Sequence, residues 1–255
     1  MVFPVESARY IEAILFDMNG TLRRREPDEP TQRAALKRML DLLRIKDPPN
    51  GFWEELGSRY KSYGQWAQEN LLQISEKDIW TRWLLPDIPC EQIEPVAAAL
   101  TLAWSERKGR MVPKPEAEET LLKLKELGYR LGVISNSVST LDIPHSLETF
   151  GWKNLFEVVT LSSAVKCRKP APEIFWEATS TMKIEPAHCA YIGNRISRDV
   201  VGCKRAGFAM GIIIEPPGQR RADEQDQTIQ PDAVIHSLNE LLNIFPGCVP
   251  PETKA

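Results

Sequence analysis

The sequence is built from short apolar runs, each followed by a polar or turn-forming residue. Ala13–Phe16 is a compact apolar run, and Asp17, Asn19 and Gly20 come directly behind it. A run this short, with turn residues after it, favours a buried strand over a helix. Similar runs recur at 131–134, 158–161, 189–192, 212–214 and 233–235. The sequence therefore predicts a series of buried strands.

Helical periodicity separates these runs. Residues 116–127 are expected to carry Leu121, Leu122, Leu124 and Leu127 on one helical face, and Gly128 follows as a stop signal. Further helices are predicted at 172–182, 199–206 and 238–245. Strands that alternate with helices predict an α/β fold, with a Rossmann-like parallel sheet that has helices on both faces.

Residues 23–112 differ from the rest, because they show helical periodicity and no clear strand. The candidate helices are 31–43, 51–69, 76–84 and 91–107. This block interrupts the first α/β unit, so we predict an inserted all-α cap domain. Its hinges are expected near 22–26 and 112–115, where Pro113 and Pro115 mark the second hinge.

The domain organisation follows from this insertion. Residues 1–22 and 113–245 are predicted to form the α/β core, and 23–112 the helical cap. The charged segment 216–231 is expected to be a mobile surface loop. The tail 246–255 is expected to be disordered.

Charge and composition exclude several classes of partner. The formal net charge is −3, so the chain has no basic excess with which to bind nucleic acid. No run approaches the ~20 apolar residues that a membrane helix needs. The five cysteines include no CxxC pair, which is typical of reduced thiols in a cytoplasmic protein. We expect a cytoplasmic monomer or homodimer.

Polar side chains stand at the ends of three predicted strands. Asp17, Ser135 and Asn194 each follow an apolar run. In open parallel sheets, ligands bind beyond the carboxyl ends of the strands. We therefore expect these three side chains to converge on one site.

Four ordered segments carry a resemblance to a known family. They are Phe16-Asp17-Met18-Asn19-Gly20-Thr21-Leu22, Ser135-Asn136, Lys169-Pro170, and Tyr191-Ile192-Gly193-Asn194 with Asp199 and Gly202. In this order they resemble the four motifs of the haloacid dehalogenase superfamily, the first of which is usually written DxDGT. The resemblance spans 11–245 outside the insertion, which corresponds to a helical cap of the C1 type.

The resemblance implies a hydrolase that works through a covalent intermediate. Asp17 would be the nucleophile that forms an aspartyl intermediate. Ser135 would donate a hydrogen bond to the transferred phosphoryl group, and Lys169 would offset the charge of that group and of Asp17. The substrate would be a small anionic molecule, most simply a phosphate ester.

The resemblance also implies a metal site and substrate contacts. Magnesium would be held by Asp17, the main-chain carbonyl of Asn19, Asn194 and Asp199, because this cation prefers oxygen ligands. The substrate would meet Thr21, Asn136 and one arginine of the run 23–25, with Arg23 the most plausible.

Two positions depart from the family pattern. Asn19 stands where family phosphatases have the aspartate that protonates the leaving group and then activates water. Losing a general acid–base typically costs ~10²–10⁴ in rate. Asn194 replaces a metal-binding carboxylate, so magnesium should bind less tightly.

These departures leave several hypotheses open. The chain could be a slow phosphatase, which we favour, or a metal-independent enzyme that resembles 2-haloacid dehalogenases. It could also be a degenerate member that binds a ligand or partner without catalysis. The sequence alone does not distinguish a natural asparagine at 19 and 194 from an introduced one.

Overall fold

Eight strands appear in the computed structural model, which describes residues 10–215 and 228–248. In chain order they are β1 (Ala13–Phe16), β2 (Arg23–Glu26), β3 (Arg110–Pro113), β4 (Arg130–Ser135), β5 (Val158–Leu161), β6 (Cys189–Gly193), β7 (Met210–Ile214) and β8 (Ala233–Ile235). Six of these described strands form one parallel sheet in the order β5-β4-β1-β6-β7-β8. The predicted α/β fold is confirmed.

The central strand is β1, which pairs with β4 on one side and β6 on the other. Phe16 lies opposite Val133 and Ile192 in the two ladders. The three strands therefore end side by side, and the residues that follow them share one edge of the sheet. This register brings the first, second and fourth motifs together.

Both faces of the sheet are buried. Ile14 and Phe16 point into one apolar cluster, while Ala13 and Leu15 point into another. Side chains alternate between the two faces of a strand, so a strand covered on both sides must be apolar throughout. This requirement explains why β1 appears in the sequence as an unbroken apolar run.

Helices cover the sheet and fill the segment between β2 and β3. They are α1 (Glu29–Leu43), α2 (Phe52–Asn70), α3 (Glu76–Asp78), α4 (Cys90–Ile93), α5 (Ala97–Glu106), α6 (Ala117–Glu126), α7 (Asp142–Thr149), α8 (Ser162–Val165), α9 (Glu173–Met182), α10 (Val201–Arg205) and α11 (Leu241–Ile244). Single π-helical stretches, Ile79–Leu84 and Ile196–Val200, extend α3 and precede α10. None of the helices in 10–215 and 228–248 is long and apolar enough to cross a membrane.

The segment α1–α5 packs around an apolar cluster of its own. Met39, Leu56, Trp80 and Leu100 are buried at its centre. The Trp80 indole N–H donates to Thr101 Oγ1 at 2.8 Å, so the polar atom of this buried ring is satisfied. Most of the tryptophans in this segment serve its packing.

The two ends of this segment differ from the prediction. The expectation of an all-helical block is wrong there, because β2 and β3 pair antiparallel from Arg23 opposite Pro113 to Glu26 opposite Arg110. The hinges expected near 22–26 and 112–115 stay a prediction. Because the chain leaves and re-enters the core at one place, its two segments run side by side there. Their backbone N–H and C=O groups can then pair as an antiparallel ladder. Charged residues without alternation concealed β2 in the sequence.

The structure also differs from the sequence prediction at one helix and at the C-terminal tail. Helix α7 was not anticipated, because Pro144 lies in its first turn, where proline is tolerated. The tail begins later than residue 246, since the Cys248 N–H donates to the Leu127 carbonyl at 2.9 Å. Residues 216–227 of the predicted loop and 249–255 of the predicted tail lie outside the described residues.

Two glycines provide a matched test of the packing. A Cβ at Gly202 would lie 2.5 Å from a Phe175 ring carbon and 3.1 Å from Pro170 Cα, whereas one at Gly64, inside α2, would meet nothing within 4 Å. We expect Gly202→Ala to lower the free energy of unfolding by ~1–3 kcal/mol through overpacking. Gly64→Ala should raise it by up to ~1 kcal/mol through helix propensity. Urea unfolding of both variants measures the two signs, and equal shifts would contradict this description of the packing.

Candidate active site

The centre of the site is the carboxylate of Asp17. Its backbone N–H continues the sheet by donating to the Ile192 carbonyl at 2.9 Å, which places the side chain between the ends of β4 and β6. Oδ1 accepts from Ser135 Oγ at 3.2 Å and from Lys169 Nζ at 2.8 Å. Oδ2 is buried and has no hydrogen-bond partner among the described residues. One oxygen is thus held, and the other is available.

The ammonium of Lys169 joins the polar groups of the site. Its side chain is fully buried. Besides Asp17, Nζ contacts Asp199 Oδ1 at 2.7 Å, Tyr191 Oη at 2.7 Å and the Ile134 carbonyl at 3.1 Å. A single cation between two buried carboxylates leaves one negative charge unbalanced, and a bound cation would offset it.

Asp199 fixes the loop after β6. Its Oδ2 accepts from the backbone N–H groups of Asn194 and Arg195, each at 3.0 Å. Burial works to raise the pKa of Asp199, but the Lys169 ammonium, Arg198 and these hydrogen bonds outweigh it and hold the pKa below its usual range. Asp199 is therefore a fixed anion that positions Lys169.

Gly193 makes this loop possible. A Cβ at this position would lie 2.3 Å from the Asp199 Cβ and 2.5 Å from Oδ2. Only glycine lets the carboxylate fold back under its own loop. This close approach is the physical reason for a glycine directly before Asn194.

The predicted magnesium ligands are brought together only in part. Asp17 Oδ2 and the main-chain carbonyl of Asn19 are oxygen donors of the kind that magnesium prefers, and Asn194 reaches the same place with its Nδ2 3.1 Å from that carbonyl. Asp199 Oδ2 accepts from backbone N–H groups, while its buried Oδ1 lies 2.7 Å from Lys169 Nζ and has no hydrogen-bond partner among the described residues, so its expected role as a ligand stays a prediction. The described residues contain no group of three acidic, histidine or cysteine side chains placed to hold a metal.

The side chain of Asn19 is held by a buried arginine. Arg23 Nε donates to Asn19 Oδ1 at 2.9 Å. The same guanidinium pairs with Asp142 through Nη2 and Oδ2 at 2.7 Å, and Nη1 donates to Ser146 Oγ. Arg23 is fully buried, so its contacts argue against the expected substrate contact and indicate that it braces the motif-one turn.

The other two residues predicted to contact the substrate, Asn136 and Thr21, lie against protein groups. The Asn136 amide clasps the backbone of Lys169, since Oδ1 accepts from its N–H at 2.8 Å and Nδ2 donates to its carbonyl at 3.1 Å. Thr21 is fully buried, and its hydroxyl has no hydrogen-bond partner within the described ranges. Asn136 therefore positions Lys169, and it borders the cavity described next.

A cavity of about 240 Å³ opens beside Asn19 and Asn136. The helical segment contributes Tyr60, Trp104 and Arg107 to its walls. The other residues that line it are Arg25, Thr101, Ser105, Lys108, Met111, Ser137, Val138, Ser139, Asp142 and Arg168. The cavity lies between the turn that follows β1 and the helices of the segment α1–α5.

Several of these residues were not anticipated from the sequence. Of the arginine run, Arg25 lines the cavity and Arg23 does not. Arg168 directly precedes the motif lysine, and that adjacency is a signal that could have found it. Arg107 and Asp142 carry no such signal, because only folding brings them beside Asn19.

Comparison with known proteins agrees with this geometry. Residues 11–207 match the haloacid dehalogenase-like hydrolases. The chain belongs to this family. The superfamily membership inferred from the four motifs is thereby confirmed.

Two curated relatives of this hydrolase are phosphatases. A glyceraldehyde 3-phosphate phosphatase of Methanopyrus kandleri is 27% identical over 92% of this chain and 97% of its own length. A phosphoglycolate phosphatase of Nitrosococcus oceani is 32% identical over 92% of this chain and 96% of its own length. Both alignments span nearly the whole chain, including the helical segment.

Two solved structures share the fold of this hydrolase. A 2-haloacid dehalogenase of Pseudomonas syringae pv. Tomato DC3000 superposes with a TM-score of 0.67 at 22% identity, over 92% of this chain and 97% of the other. A HAD phosphatase of Thermococcus onnurineus gives 0.57 at 23% identity, over 92% and 97%. At these identities the likeness describes the fold alone.

The ion pairs of Lys169 predict a pH-dependent stability. In Lys169→Met, Asp199 would be a buried charge without its main partner, which typically costs ~3–5 kcal/mol at neutral pH. The depressed pKa of Asp199 stabilises the wild type above the ordinary carboxyl pKa, and this contribution is lost as the pH falls through the lowered value. In the variant the pKa should rise, so protonation relieves the penalty in acid.

The difference in unfolding free energy between Lys169→Met and wild type should therefore be largest near neutral pH and shrink towards acid. Urea unfolding across this pH range measures it. The exposed Lys61→Met is the control and should show no such trend. A pH-independent difference would contradict the role given to Lys169.

Proposed function

We propose that this hydrolase removes phosphate from small phosphate esters through an aspartyl-phosphate at Asp17. The observation that carries the proposal is the asymmetry of the Asp17 carboxylate. Lys169 and Ser135 hold Oδ1, while the buried Oδ2 has no hydrogen bond from a described residue. An oxygen that accepts no hydrogen bond, on a carboxylate that two hydrogen bonds hold in place, is suited to in-line attack on phosphorus.

The neighbouring groups would then stabilise the transferred phosphoryl group. Lys169 Nζ and Ser135 Oγ both reach Asp17, so they lie beside any group bonded to it. A cation and a hydroxyl fixed in a buried site stabilise developing negative charge without reorganising. The names of the two curated phosphatases support this substrate class.

Magnesium fits this proposal with a reduced set of ligands. The Asp17 carboxylate, the Asn19 carbonyl and the Asn194 side chain would hold it, with Asp17 as the only carboxylate of the three. When bound, such a cation neutralises phosphate charge and orients the ester. We propose weak magnesium binding, because one carboxylate brings less charge than two.

We also propose that the helical segment acts as a cap over the site. Its Glu76 accepts from the Thr140 N–H at 3.1 Å and from Thr140 Oγ1 at 2.9 Å. The Gln73 N–H donates to the Lys166 carbonyl at 2.9 Å. These contacts hold the segment against the loops that follow β4 and α8. A covered site excludes water, which strengthens the charge interactions inside it.

The chain lacks the acid–base carboxylate that both chemical steps use. The Asn19 amide can neither protonate a leaving alkoxide nor take a proton from water. A leaving group of low pKa, such as p-nitrophenolate, needs no proton. Formation of the aspartyl-phosphate from such an ester would then proceed, while its hydrolysis would be slow.

This imbalance predicts burst kinetics. With p-nitrophenyl phosphate and magnesium, rapid mixing should show a burst of p-nitrophenol that approaches about one equivalent per enzyme, followed by a slow steady rate. Stopped-flow absorbance measures both phases. Asp17→Asn removes the nucleophile and should abolish the burst and the steady rate together.

Two outcomes would overturn the proposed function. Equal phosphate release by wild type and Asp17→Asn would mean that Asp17 is not the nucleophile. Halide release from a 2-haloacid without metal, with no phosphate release from any ester, would favour the dehalogenase hypothesis over ours.

The Arg23 contact predicts how Asn19→Asp will behave. A carboxylate at 19 would lie where Arg23 Nε now donates at 2.9 Å, so its pKa should stay low. Ionised, it can accept a proton from water but cannot protonate a leaving alkoxide. We expect Asn19→Asp to raise steady p-nitrophenyl phosphate turnover ~10-fold or more, with little gain on an alkyl phosphate.

Adding Arg23→Gln should then raise turnover of the alkyl phosphate, because glutamine can still bond Asp142 without holding the new carboxylate ionised. Arg24→Gln, at an exposed neighbouring position, is the matched control. Equal gains on both esters from Asn19→Asp alone would contradict this role of Arg23. Initial rates of phosphate release decide between the outcomes.

A further inference from the structure

Four cationic side chains line the cavity beside Asn19 and Asn136. They are Arg25, Arg107, Lys108 and Arg168. Arg25 comes from β2, Arg107 and Lys108 follow α5, and Arg168 precedes the motif lysine. Three separate stretches of backbone would not gather like charges without a reason, because like charges repel.

No described carboxylate makes an ion pair with any of these four cations. Asp142 is the one acidic residue that lines the cavity, and it is paired with Arg23. Within the described residues, the cavity therefore carries an excess of positive charge. The chain as a whole does not, since its formal net charge is −3.

Neutral groups hold the arginines in place. Arg25 Nη1 donates to the Ser105 and Gly109 carbonyls, each at 2.8 Å. The Arg107 guanidinium lies 3.3 Å from the centre of the Trp104 ring. These contacts fix the direction of each side chain but leave its charge uncompensated.

Arg168 has donor capacity to spare. Its Nη1 donates to Gln73 Oε1, while its Nε is buried and has no hydrogen-bond partner in the described parts of the chain. A buried donor without a partner costs roughly 1–3 kcal/mol, and a ligand acceptor would recover it.

The positive charges around the cavity lower one another's pKa. Burial, with the charge of Arg25 adding to the effect, lowers the pKa of Arg107 to about 10. Burial also lowers the pKa of Lys108, with Arg107 and Arg25 adding to the effect. With a pKa of about 10, Arg107 stays charged at neutral pH.

We propose that this cavity binds a second anionic group on the substrate, so that the preferred substrates are small phosphate esters with a carboxylate or a second phosphate. This inference rests on the proposed function, because it assigns the first phosphoryl group to Asp17, Ser135 and Lys169. Asn19 and Asn136 border both places, which makes the distance between the two anions short. At about 240 Å³, the cavity is below the ~300–1,000 Å³ of pockets for drug-sized ligands, so the substrate is small.

Three two-carbon esters test the proposal. They are 2-phosphoglycolate, ethane-1,2-diyl bisphosphate and 2-hydroxyethyl phosphate, which end in a carboxylate, a phosphate and a neutral hydroxyl. We expect kcat/KM for at least one of the two esters with a second anionic group to exceed that of 2-hydroxyethyl phosphate by ~10-fold or more, as one buried charge-assisted contact provides. The ester with the higher value identifies the second anion.

The variant that tests the cavity is Arg107→Gln with Lys108→Gln. We expect it to reduce the preference for the ester with a second anionic group over 2-hydroxyethyl phosphate ~10-fold. The loss should appear mainly in KM, because ground-state charge contacts are lost. Arg33→Gln, an exposed arginine of α1 outside the cavity, should keep the wild-type preference. An unchanged preference in the double variant would overturn the proposal.

Binding separates this inference from the proposed function. Calorimetric titration of Asp17→Asn with 2-phosphoglycolate, the bisphosphate and 2-hydroxyethyl phosphate needs no turnover. Tighter binding of an ester with a second anionic group, without any hydrolysis by wild type, would support the second-anion site and contradict the proposed phosphatase activity. Hydrolysis of p-nitrophenyl phosphate with equal binding of all three esters would contradict the second-anion site alone.

Discussion

The structure of the site depends on one buried ammonium. Lys169 Nζ lies 2.8 Å from Asp17 and 2.7 Å from Asp199, which come from opposite ends of the motif series. Without it, two carboxylates at the carboxyl edge of the sheet would repel each other in a medium that screens charge poorly. The groups around it are arranged to hold it, since Asn136 clasps its backbone and Tyr191 accepts from its side chain. Lys169 thereby joins Asp17, the loop after β6 and the edge of the sheet.

A second buried ion pair determines what the motif-one turn can do. Arg23 joins Asn19 to Asp142 of α7, so the turn is tied to a helix that lies far along the chain. A guanidinium beside position 19 suits an amide, which accepts its hydrogen bond without adding charge. It would suit an acid catalyst poorly, because it would keep that acid ionised. The asparagine and the arginine are therefore one physical unit.

Charge is distributed unevenly over this acidic protein. The site around Asp17 carries two carboxylates against one lysine, while the neighbouring cavity carries four cations and one carboxylate that is already paired. A phosphate ester with a second anion would match this division, with a metal cation on the side of Asp17. The helical segment matters here because it supplies Arg107 and Lys108, and with them the cavity wall.

The α/β core can be predicted from the sequence alone, because strands buried on both faces must be apolar and strand ends must turn, as at Ala13–Phe16 and Asp17. Local motifs also pointed to Asp17, Ser135 and Lys169, which hydrogen bonds join in the structure. The sequence did not predict that Arg23 pairs with Asp142, that Asp199 holds Lys169, or that Arg25 joins Arg107 in one cavity. Such contacts join residues far apart in the chain, and periodicity and spacing do not encode which distant side chains meet once loops have closed.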